Sequence, residues 1–267
     1  GLEEVKRTIK EIYAWIIINQ KREQMGLKAG KQVLHMMFKG NPGTGKTTVA
    51  RLIGKLFHKI NVLPKGHVIE CERADLVGEY IGHTAQKTRE VIKKAMGGIL
   101  FIDEAYSLGR GGEKDFGKEA LDTLVKHMED RQNEFVLILA GYSREMDGLL
   151  ALNPGLQSRF PIIIEFPDYT VEQLIKIAKQ MASEKEYALS EDAERKLRDH
   201  LIAVKLGTQQ GRFSNGRYVR NIIEKSIRTQ AIRLLYSGHY TKQDLITLHS
   251  SDIVFPENQT VDPFVSL

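Results

Sequence analysis

A glycine-rich segment of eight residues, 40–47, limits the folds open to this chain more than any other part of the sequence. Its residues, Gly40-Asn41-Pro42-Gly43-Thr44-Gly45-Lys46-Thr47, match the pattern G-x-x-x-x-G-K-T. A short apolar run, 33–38, precedes the segment, and a pattern with helical period, 47–59, follows it. Such a loop directs backbone N–H groups and a helix N-terminus toward phosphate oxygens. The segment is therefore predicted to bind the phosphates of a nucleotide.

The polar residues at the end of this loop have separate predicted roles. Lys46 is expected to reach the β- and γ-phosphates of ATP, and the hydroxyl of Thr47 is expected to ligate Mg²⁺. Thr48 and Asp103 complete the predicted nucleotide-binding set, which otherwise consists of residues 40–47. The alternative is a glycine-rich turn that contains a lysine and binds no ligand.

Five short apolar runs lie between residues 33 and 166, and segments with helical period separate several of them. The runs do not alternate with polar residues, which is typical of strands buried on both faces of a parallel sheet. This pattern predicts an α/β fold, a five-stranded parallel sheet with helices on both faces. The predicted strands are 33–38, 67–71, 98–102, 135–140 and 162–166, and the predicted helices are 2–17, 47–59, 84–95 and 118–129, with a polar loop over 21–31.

The strand pattern ends after residue 166, and a second, smaller domain of mostly helical character is predicted over 167–255. Its helices are expected at 170–184, 190–206 and 215–235. Thr170 is predicted to cap the first of them, because Glu172 and Gln173 follow it. The division is therefore 1–166 for the nucleotide-binding domain, 167–255 for the helical domain and 256–267 for a C-terminal tail.

Two carboxylates, Asp103 and Glu104, directly follow the predicted strand 98–102. Ligands of parallel sheets bind at the carboxyl ends of the strands. Asp103 is therefore expected to hold Mg²⁺ through water, and Glu104 is expected to polarise the water that attacks the γ-phosphate. The pair lies far enough beyond Lys46 for a further strand and two helices, a spacing typical of ATPases with a phosphate-binding loop.

Composition narrows the remaining function classes. Lys and Arg outnumber Asp and Glu by 39 to 34, a net charge of +5 without a dense basic block, so a nucleic-acid partner is not favoured. No apolar run is long enough to cross a membrane, and Gly1-Leu2-Glu3-Glu4 does not begin a secretory signal. The single cysteine, Cys71, has no partner for a disulfide within the chain, which fits a cytoplasmic location.

Three segments resemble the AAA+ ATPases of the CbbX and stage V sporulation protein K family. They are Asp103-Glu104-Ala105-Tyr106-Ser107-Leu108, Lys126-His127-Met128-Glu129-Asp130 and Ala140-Gly141-Tyr142. The resemblance extends over most of residues 1–255 and implies an α/β ATPase domain followed by a small helical lid. It also implies a homo-oligomeric ring, expected to be a hexamer, and CbbX members are red-type Rubisco activases. The opening residues resemble the family segment beside the adenine, which implies a further N-terminal extension.

The resemblance assigns roles to two arginines. Arg159, in the segment 153–160, is expected to be an arginine finger that reaches the γ-phosphate held by a neighbouring subunit. Arg217, in the segment 215–221, corresponds to the sensor-2 arginine and would contact the γ-phosphate of its own subunit, with Arg220 as the competing candidate. The alternatives are a surface arginine before a strand and an arginine on a solvated helix end. The predicted catalytic set is Lys46, Glu104, Arg159 and Arg217.

The resemblance also implies a loop that faces the central pore of the ring. Tyr80 and Ile81, between Gly78 and Gly82, are expected to grip a polypeptide, and the alternative is that Tyr80 is a core aromatic. A second pore loop is proposed over 108–113. The polar sensor-1 residue of the family falls near Tyr142 or Ser143, and the sequence leaves that choice open.

The function expected from these features is Mg²⁺-dependent hydrolysis of ATP by a ring that remodels a protein substrate through its pore. Two other classes stay open: a DNA-linked ATPase such as a loader or helicase, and a scaffold that binds nucleotide with little turnover. The aromatic residue between glycines favours a polypeptide in the pore, and the carboxylate pair favours turnover. The sequence does not identify the protein substrate.

Overall fold

The computed structural model describes residues 2–30, 33–80, 82–110, 115–131, 134–207 and 213–255. It divides into two compact units, Gly1–Asp168 and Tyr169–Leu267. The first unit contains the strands β1 (Met36–Gly40), β2 (Val68–Cys71), β3 (Ile99–Ile102), β4 (Val136–Gly141) and β5 (Ile162–Phe166). Its helices are α1 (Glu3–Gln24), α2 (Lys46–Lys59), α3 (Arg73–Leu76), α4 (His83–Ala95), α5 (Gly117–Asp130), α6 (Ser143–Leu152) and α7 (Pro154–Arg159), with a 3-10 helix at Ala105–Gly109.

The five strands form one parallel sheet in the order β2-β3-β4-β1-β5. This confirms the predicted α/β fold. Met36, the first residue of β1, pairs with Ile138 of β4 and with Ile162 of β5. The carboxyl ends of all five strands therefore lie along one edge of the sheet, and the amino ends lie along the other.

Alternate residues of the strands enter two separate cores, one on each face of the sheet. Met36 and Phe38 of β1 pack in a cluster with residues of α1 and α2. Met37, between them, packs in a second cluster with residues of α4 and α5. Side chains of a strand alternate between the two faces, so helices are needed on both to bury an apolar run of this kind.

The polar loop predicted from Lys21 is wrong in its first residues, because α1 continues to Gln24. Lys21 and Arg22 lie in the last turn, where cations interact favourably with the helix dipole. Polarity alone therefore did not mark the end of this helix.

The second unit consists of α8 (Val171–Ser183), α9 (Glu191–Gly207), α10 (Asn215–Ser237) and α11 (Lys242–Ile246). Thr170 caps α8 as predicted: its Oγ1 accepts the N–H of Gln173, whose side chain accepts the N–H of Thr170. The expectation that strands stop after residue 166 is wrong. A parallel pair of two-residue strands, β6 (Ala188–Leu189) and β7 (Thr247–Leu248), is too short to leave a periodic pattern. Residues 256–267, predicted as a tail, lie outside the described residues.

Candidate nucleotide-binding site

The loop between β1 and α2 is built on glycines in backbone conformations that other residues rarely adopt. Gly43 and Gly45 have φ angles of 69° and 94°. At Gly40, with φ of 150°, an added Cβ atom would lie 2.4 Å from the carbonyl oxygen of Phe166. These positions let the chain turn sharply from the end of β1 into the first turn of α2.

Hydrogen bonds within the loop hold its shape. Thr44 is fully buried, and its Oγ1 donates to the carbonyl of Asn41 at 2.7 Å. The Lys46 ammonium donates to the carbonyls of Gly40 and Asn41 at 2.8 and 3.0 Å. The Asn41 amide donates to Asp168 at 2.9 Å. The ammonium of Lys46 thus lies against the inner side of the loop, where it would meet phosphate oxygens.

The N-terminus of α2 completes the anion site. Its N-cap residue, Gly45, has no side chain to accept a hydrogen bond from the first turn. The first N–H groups of a helix have no partner within the helix, and the helix dipole favours negative charge there. Thr47 is half-buried and Thr48 is exposed in this turn. The arrangement suits a phosphate group.

Asp103 and Glu104 lie at the same edge of the sheet, directly after β3. The Asp103 N–H extends the ladder to β2 by donating to Cys71 O at 3.0 Å, and Asp103 Oδ1 accepts the N–H of Glu104 at 3.0 Å. Glu104 is exposed, with φ of 48° in the left-handed region. This conformation is unfavourable for a residue with a side chain, and such residues are enriched at functional sites. It turns the chain out of the strand directly after Asp103.

Strand β4 lies between β1 and β3, so the residues that follow it lie between the loop and the carboxylates. Neighbouring strands are about 4.8 Å apart, which places the two motifs about 10 Å apart across the edge. Tyr142 and Ser143 follow β4. The hydroxyl of Ser143 donates to Glu165 at 3.1 Å, whereas the Tyr142 ring packs on Tyr106 with centroids 5.9 Å apart.

Tyr106 is a residue of this edge to which sequence reasoning assigned no role. Its ring is buried, and the guanidinium carbon of Arg110 lies 4.4 Å from the ring centroid. Burial raises the pKa of Tyr106 to about 12, and the negative charge of Glu104 contributes. The phenol therefore stays protonated beside Glu104. Its position inside the resembling segment 103–108 was the only signal in the sequence.

Lys39, also missed, is a buried lysine one residue before the loop. Its ammonium is in contact with Asp147 of α6 and lies 3.9 Å from Glu165 of β5. A buried charge needs such partners. Lys39 thereby links the end of β1 to α6 and to β5. A lysine between the apolar run 33–38 and the glycine-rich loop was the available signal.

Arg159 lies at the opposite edge of the sheet from the loop. It ends α7 just before β5, whose first residue, Ile162, pairs with the first residue of β1. The loop instead follows the last residue of β1, about 13 Å away along a strand that rises about 3.3 Å per residue. In this unit the guanidinium bonds Glu129 and the carbonyl of Gly155.

Arg217 and Arg220 belong to the second unit, where both are exposed in the first two turns of α10. The start of that helix is fixed by Asn215, which is buried with φ of 46°. Its Oδ1 accepts the N–H of Tyr169 at 2.9 Å. The sensor-2 role of Arg217 stays a prediction.

Tyr80 is 66% exposed, which excludes the alternative of a core aromatic. Its ring packs edge-on against His83 with centroids 5.5 Å apart. Gly82 has φ of 84°, as a turn requires. At Gly78 a close approach requires glycine, because an added Cβ would lie 2.6 Å from the Cβ of His83. Ile81 lies outside the described residues, as do positions 111–113 of the second proposed pore loop.

The sheet order, the loop after β1, the carboxylate pair after β3 and the following helical unit define an ATPase with the AAA+ fold. The model of the ATPase family associated with various cellular activities (AAA) matches residues 36–168, and that of the AAA lid domain matches residues 170–263. Among the helices of the described ranges, none has the length and apolar character needed to cross a membrane.

Curated relatives identify the family within this class. Stage V sporulation protein K of Bacillus subtilis (strain 168) is 73% identical over 257 residues, which cover 96% of this chain and 80% of that protein. Protein CfxQ of Xanthobacter flavus is 44% identical over 255 residues, with coverage of 95% and 80%. The chloroplastic ribulose bisphosphate carboxylase/oxygenase activase of Cyanidioschyzon merolae is 43% identical over 257 residues, with coverage of 95% and 87%. The chain belongs to the family of AAA+ ATPases that contains stage V sporulation protein K and CfxQ, which confirms the resemblance.

Solved structures with low identity share the fold. The FIGL-1 AAA domain in complex with ADP has a TM-score of 0.63 and 17% identity, covering 94% of this chain and 79% of that one. The Thermotoga maritima RuvB Holliday junction branch migration motor has a TM-score of 0.59 and 20% identity, covering 94% and 67%. At these levels of sequence identity, the similarity shows a shared fold and nothing further.

Proposed function

We propose that this chain is a Mg²⁺-dependent ATPase that assembles into a homo-oligomeric ring, a hexamer, and remodels a protein substrate drawn through its central pore. The observation that carries the proposal is the position of Arg159. The arginine lies at the edge of the sheet remote from the loop of its own subunit. It can serve a γ-phosphate only if a second copy presents its nucleotide to that edge.

The nucleotide is held by the loop and the first turn of α2. Lys46 bonds the β- and γ-phosphates, and the backbone N–H groups of residues 43–48 surround the remaining oxygens. This assignment is supported by the positive φ angles of the loop glycines and by the hydrogen bonds from the Lys46 ammonium to the carbonyls of Gly40 and Asn41. Contacts to the triphosphate hold the γ-phosphorus in position for in-line attack by water.

The residues present fit a magnesium ion. Thr47 offers a hydroxyl and Asp103 a half-buried carboxylate, both at the phosphate edge, and Mg²⁺ prefers oxygen ligands and keeps several waters. Asp103 would therefore act through water. When bound beside the phosphates, the ion neutralises charge on their oxygens.

Hydrolysis is a displacement at phosphorus. Glu104 orients a water and accepts its proton, the water oxygen bonds the γ-phosphorus while the bond to the bridging oxygen breaks, and ADP and inorganic phosphate leave. Lys46, Arg159 of a neighbouring copy and Arg217 of the second unit stabilise the charge on the transferred group. Tyr142, between the loop and Glu104, is proposed for the sensor-1 role, since Ser143 is bonded to Glu165.

The exposed ring of Tyr80 supports a polypeptide as the substrate, because an aromatic residue on a loop offers a large apolar contact to a chain of any sequence. The names of the relatives suggest sporulation proteins or Rubisco as substrates. A cytoplasmic location is also proposed. The one cysteine, Cys71, is a free and buried thiol, and burial raises its pKa to about 12, so it is unreactive.

Two substitutions test the ATPase. Lys46→Ala should abolish ATP binding, whereas Glu104→Gln should bind ATP like the parent and hydrolyse it about 10²–10⁴-fold more slowly, as for loss of a general base. Calorimetry measures binding, and phosphate release measures turnover. Glu90→Gln, an exposed change of the same kind on α4, is the control and should behave as the parent. Hydrolysis at the parent rate by Glu104→Gln would refute its role.

The alternatives have distinct outcomes. A DNA-linked ATPase would be stimulated by DNA and not by an unfolded polypeptide. If the protein is a scaffold, the unsubstituted chain would bind ATP and release no phosphate. The ring itself predicts that activity per subunit rises with protein concentration through the assembly range, and light scattering in the presence of ATP gives the subunit number.

A further inference from the structure

We propose that Glu129 is a positioning residue for Arg159, and that it holds the guanidinium with two terminal N–H groups directed at the γ-phosphate of a neighbouring copy. The inference rests on the proposed role of Arg159 in trans. It adds the side chain that sets the orientation of this arginine.

The two side chains come from different helices. Glu129 lies in the last turn of α5, and Arg159 is the last residue of α7. Oε1 of Glu129 accepts from Nε of Arg159 at 2.8 Å and from Nη2 at 2.5 Å. One carboxylate oxygen therefore bonds one edge of the guanidinium, which restricts rotation of the guanidinium plane.

A backbone carbonyl makes the third contact. Nη1 of Arg159 donates to the oxygen of Gly155 at 2.6 Å. A Cβ atom at position 155 would lie 2.7 Å from Nη1. The absence of a side chain at Gly155 therefore permits the guanidinium to lie against the first turn of α7.

The remaining donors match a phosphoryl group. Arginine has five N–H groups, and the three contacts use one from each nitrogen. One N–H on Nη1 and one on Nη2 make no hydrogen bond to any described residue. Two parallel donors on neighbouring nitrogens fit two oxygens of a phosphate. The Arg159 side chain is 32% exposed, so a partner can approach it.

Stability does not explain the pair. The side chain of Glu129 is 52% exposed, and ion pairs as open to solvent as this one contribute little to folding. A rotated or displaced catalytic group, in contrast, lowers a rate strongly. The effect of losing Glu129 should therefore appear in turnover and not in the melting temperature.

Glu129→Ala should lower kcat about 10–100-fold, with KM for ATP, ring assembly and Tm close to the parent values. Asp130→Ala removes the adjacent, exposed carboxylate and is the matched control, with parent kcat expected. Gly155→Ala should lower kcat similarly by displacing Nη1. Alanine favours a helix over glycine, so its Tm should be unchanged or higher, which a merely destabilising substitution would not produce.

Two further measurements separate positioning from other roles. If Glu129 acts through Arg159, adding Glu129→Ala to Arg159→Ala should cause no further loss. Rings mixed from Glu129→Ala and Glu104→Gln subunits should hydrolyse faster than the sum of the separate preparations. The Glu104→Gln copies would supply correctly held arginines to the intact sites of their neighbours.

If Glu129→Ala keeps the parent kcat while Arg159→Ala loses activity, the positioning role of Glu129 is refuted. The role of Arg159 as an arginine finger would then be retained. Additive losses in the double variant would overturn it as well. Parent kcat in Arg159→Ala itself would instead refute the finger, and this inference with it.

Discussion

His35 should make the first unit sensitive to mild acid. The side chain is buried just before β1, and its Nδ1 accepts the N–H of Leu137 at 3.0 Å. Its ring packs near the rings of Phe135 and Phe160, with centroids 5.9 and 6.3 Å away. Burial lowers the pKa of His35 to about 4. A proton on Nδ1 would also displace the hydrogen bond from Leu137.

The sign of the pH dependence follows from that lowered pKa. As the pH falls, an unfolded chain protonates this histidine near its ordinary pKa of about 6.5, before the folded chain can. The contribution of the neutral His35 side chain to the free energy of unfolding is therefore fully present above about pH 6.5. It is lost as the pH falls from there to about pH 4. From the difference in pKa, the loss is about 2 kcal/mol at pH 5 and about 3 kcal/mol at pH 4.

The measurement uses the only tryptophan, Trp15, which lies on α1 and reports the first unit. Urea titrations followed by its fluorescence compare the parent with His35→Asn, whose Oδ1 can replace Nδ1 as the acceptor and does not titrate. Between pH 7.5 and pH 5, the parent should lose about 2 kcal/mol more than the variant, or roughly 1 M in urea midpoint. Carboxylates titrate in both proteins and cancel. Equal losses in the two proteins would refute the reasoning.

Two further predictions concern other parts of the chain. Tyr80→Ala should leave Tm and basal ATP hydrolysis near the parent values, because the ring is exposed, while remodelling of a bound protein collapses. Tyr240→Ala, an exposed tyrosine of the second unit, is its control, and a large fall in Tm for Tyr80→Ala would contradict the pore role. Arg233→Gln should destabilise the second unit by about 3–5 kcal/mol, because Asp252 is fully buried and bonded to both Nε and Nη2 of Arg233. Hydrogen exchange along α10 measures this loss, and unchanged protection there would contradict it.

Local features could be read directly from the sequence. The phosphate loop depends on consecutive residues, since its glycines and the following helix act within a few positions. Strand β5 was predicted with the bounds that the structure shows, because an apolar run that stops at Pro167 is a local signal. The same holds for the cap at Thr170, which needs only the residue three positions later.

Local sequence patterns did not specify the order of the strands in the sheet. The sequence indicates five strands but contains no mark that puts β4 between β1 and β3, and this order decides that Tyr142 lies between the loop and Glu104. Pairing depends on which edges meet when the helices cover the sheet. That choice is made by packing over the whole domain.

The partners of individual side chains were also decided only in three dimensions. Arg159 was recognised from its segment, whereas its bond to Glu129 joins positions 30 apart. Lys39 and Asp147 are 108 positions apart, and His35 and Leu137 are 102 apart. A periodic pattern tells which face of an element is buried, and it holds no information on what faces a given side chain from a distant element. The sequence therefore determined the chemistry of this protein's nucleotide site, and the tertiary structure determined which groups hold its charged residues in place, because those contacts form only when separate elements pack together.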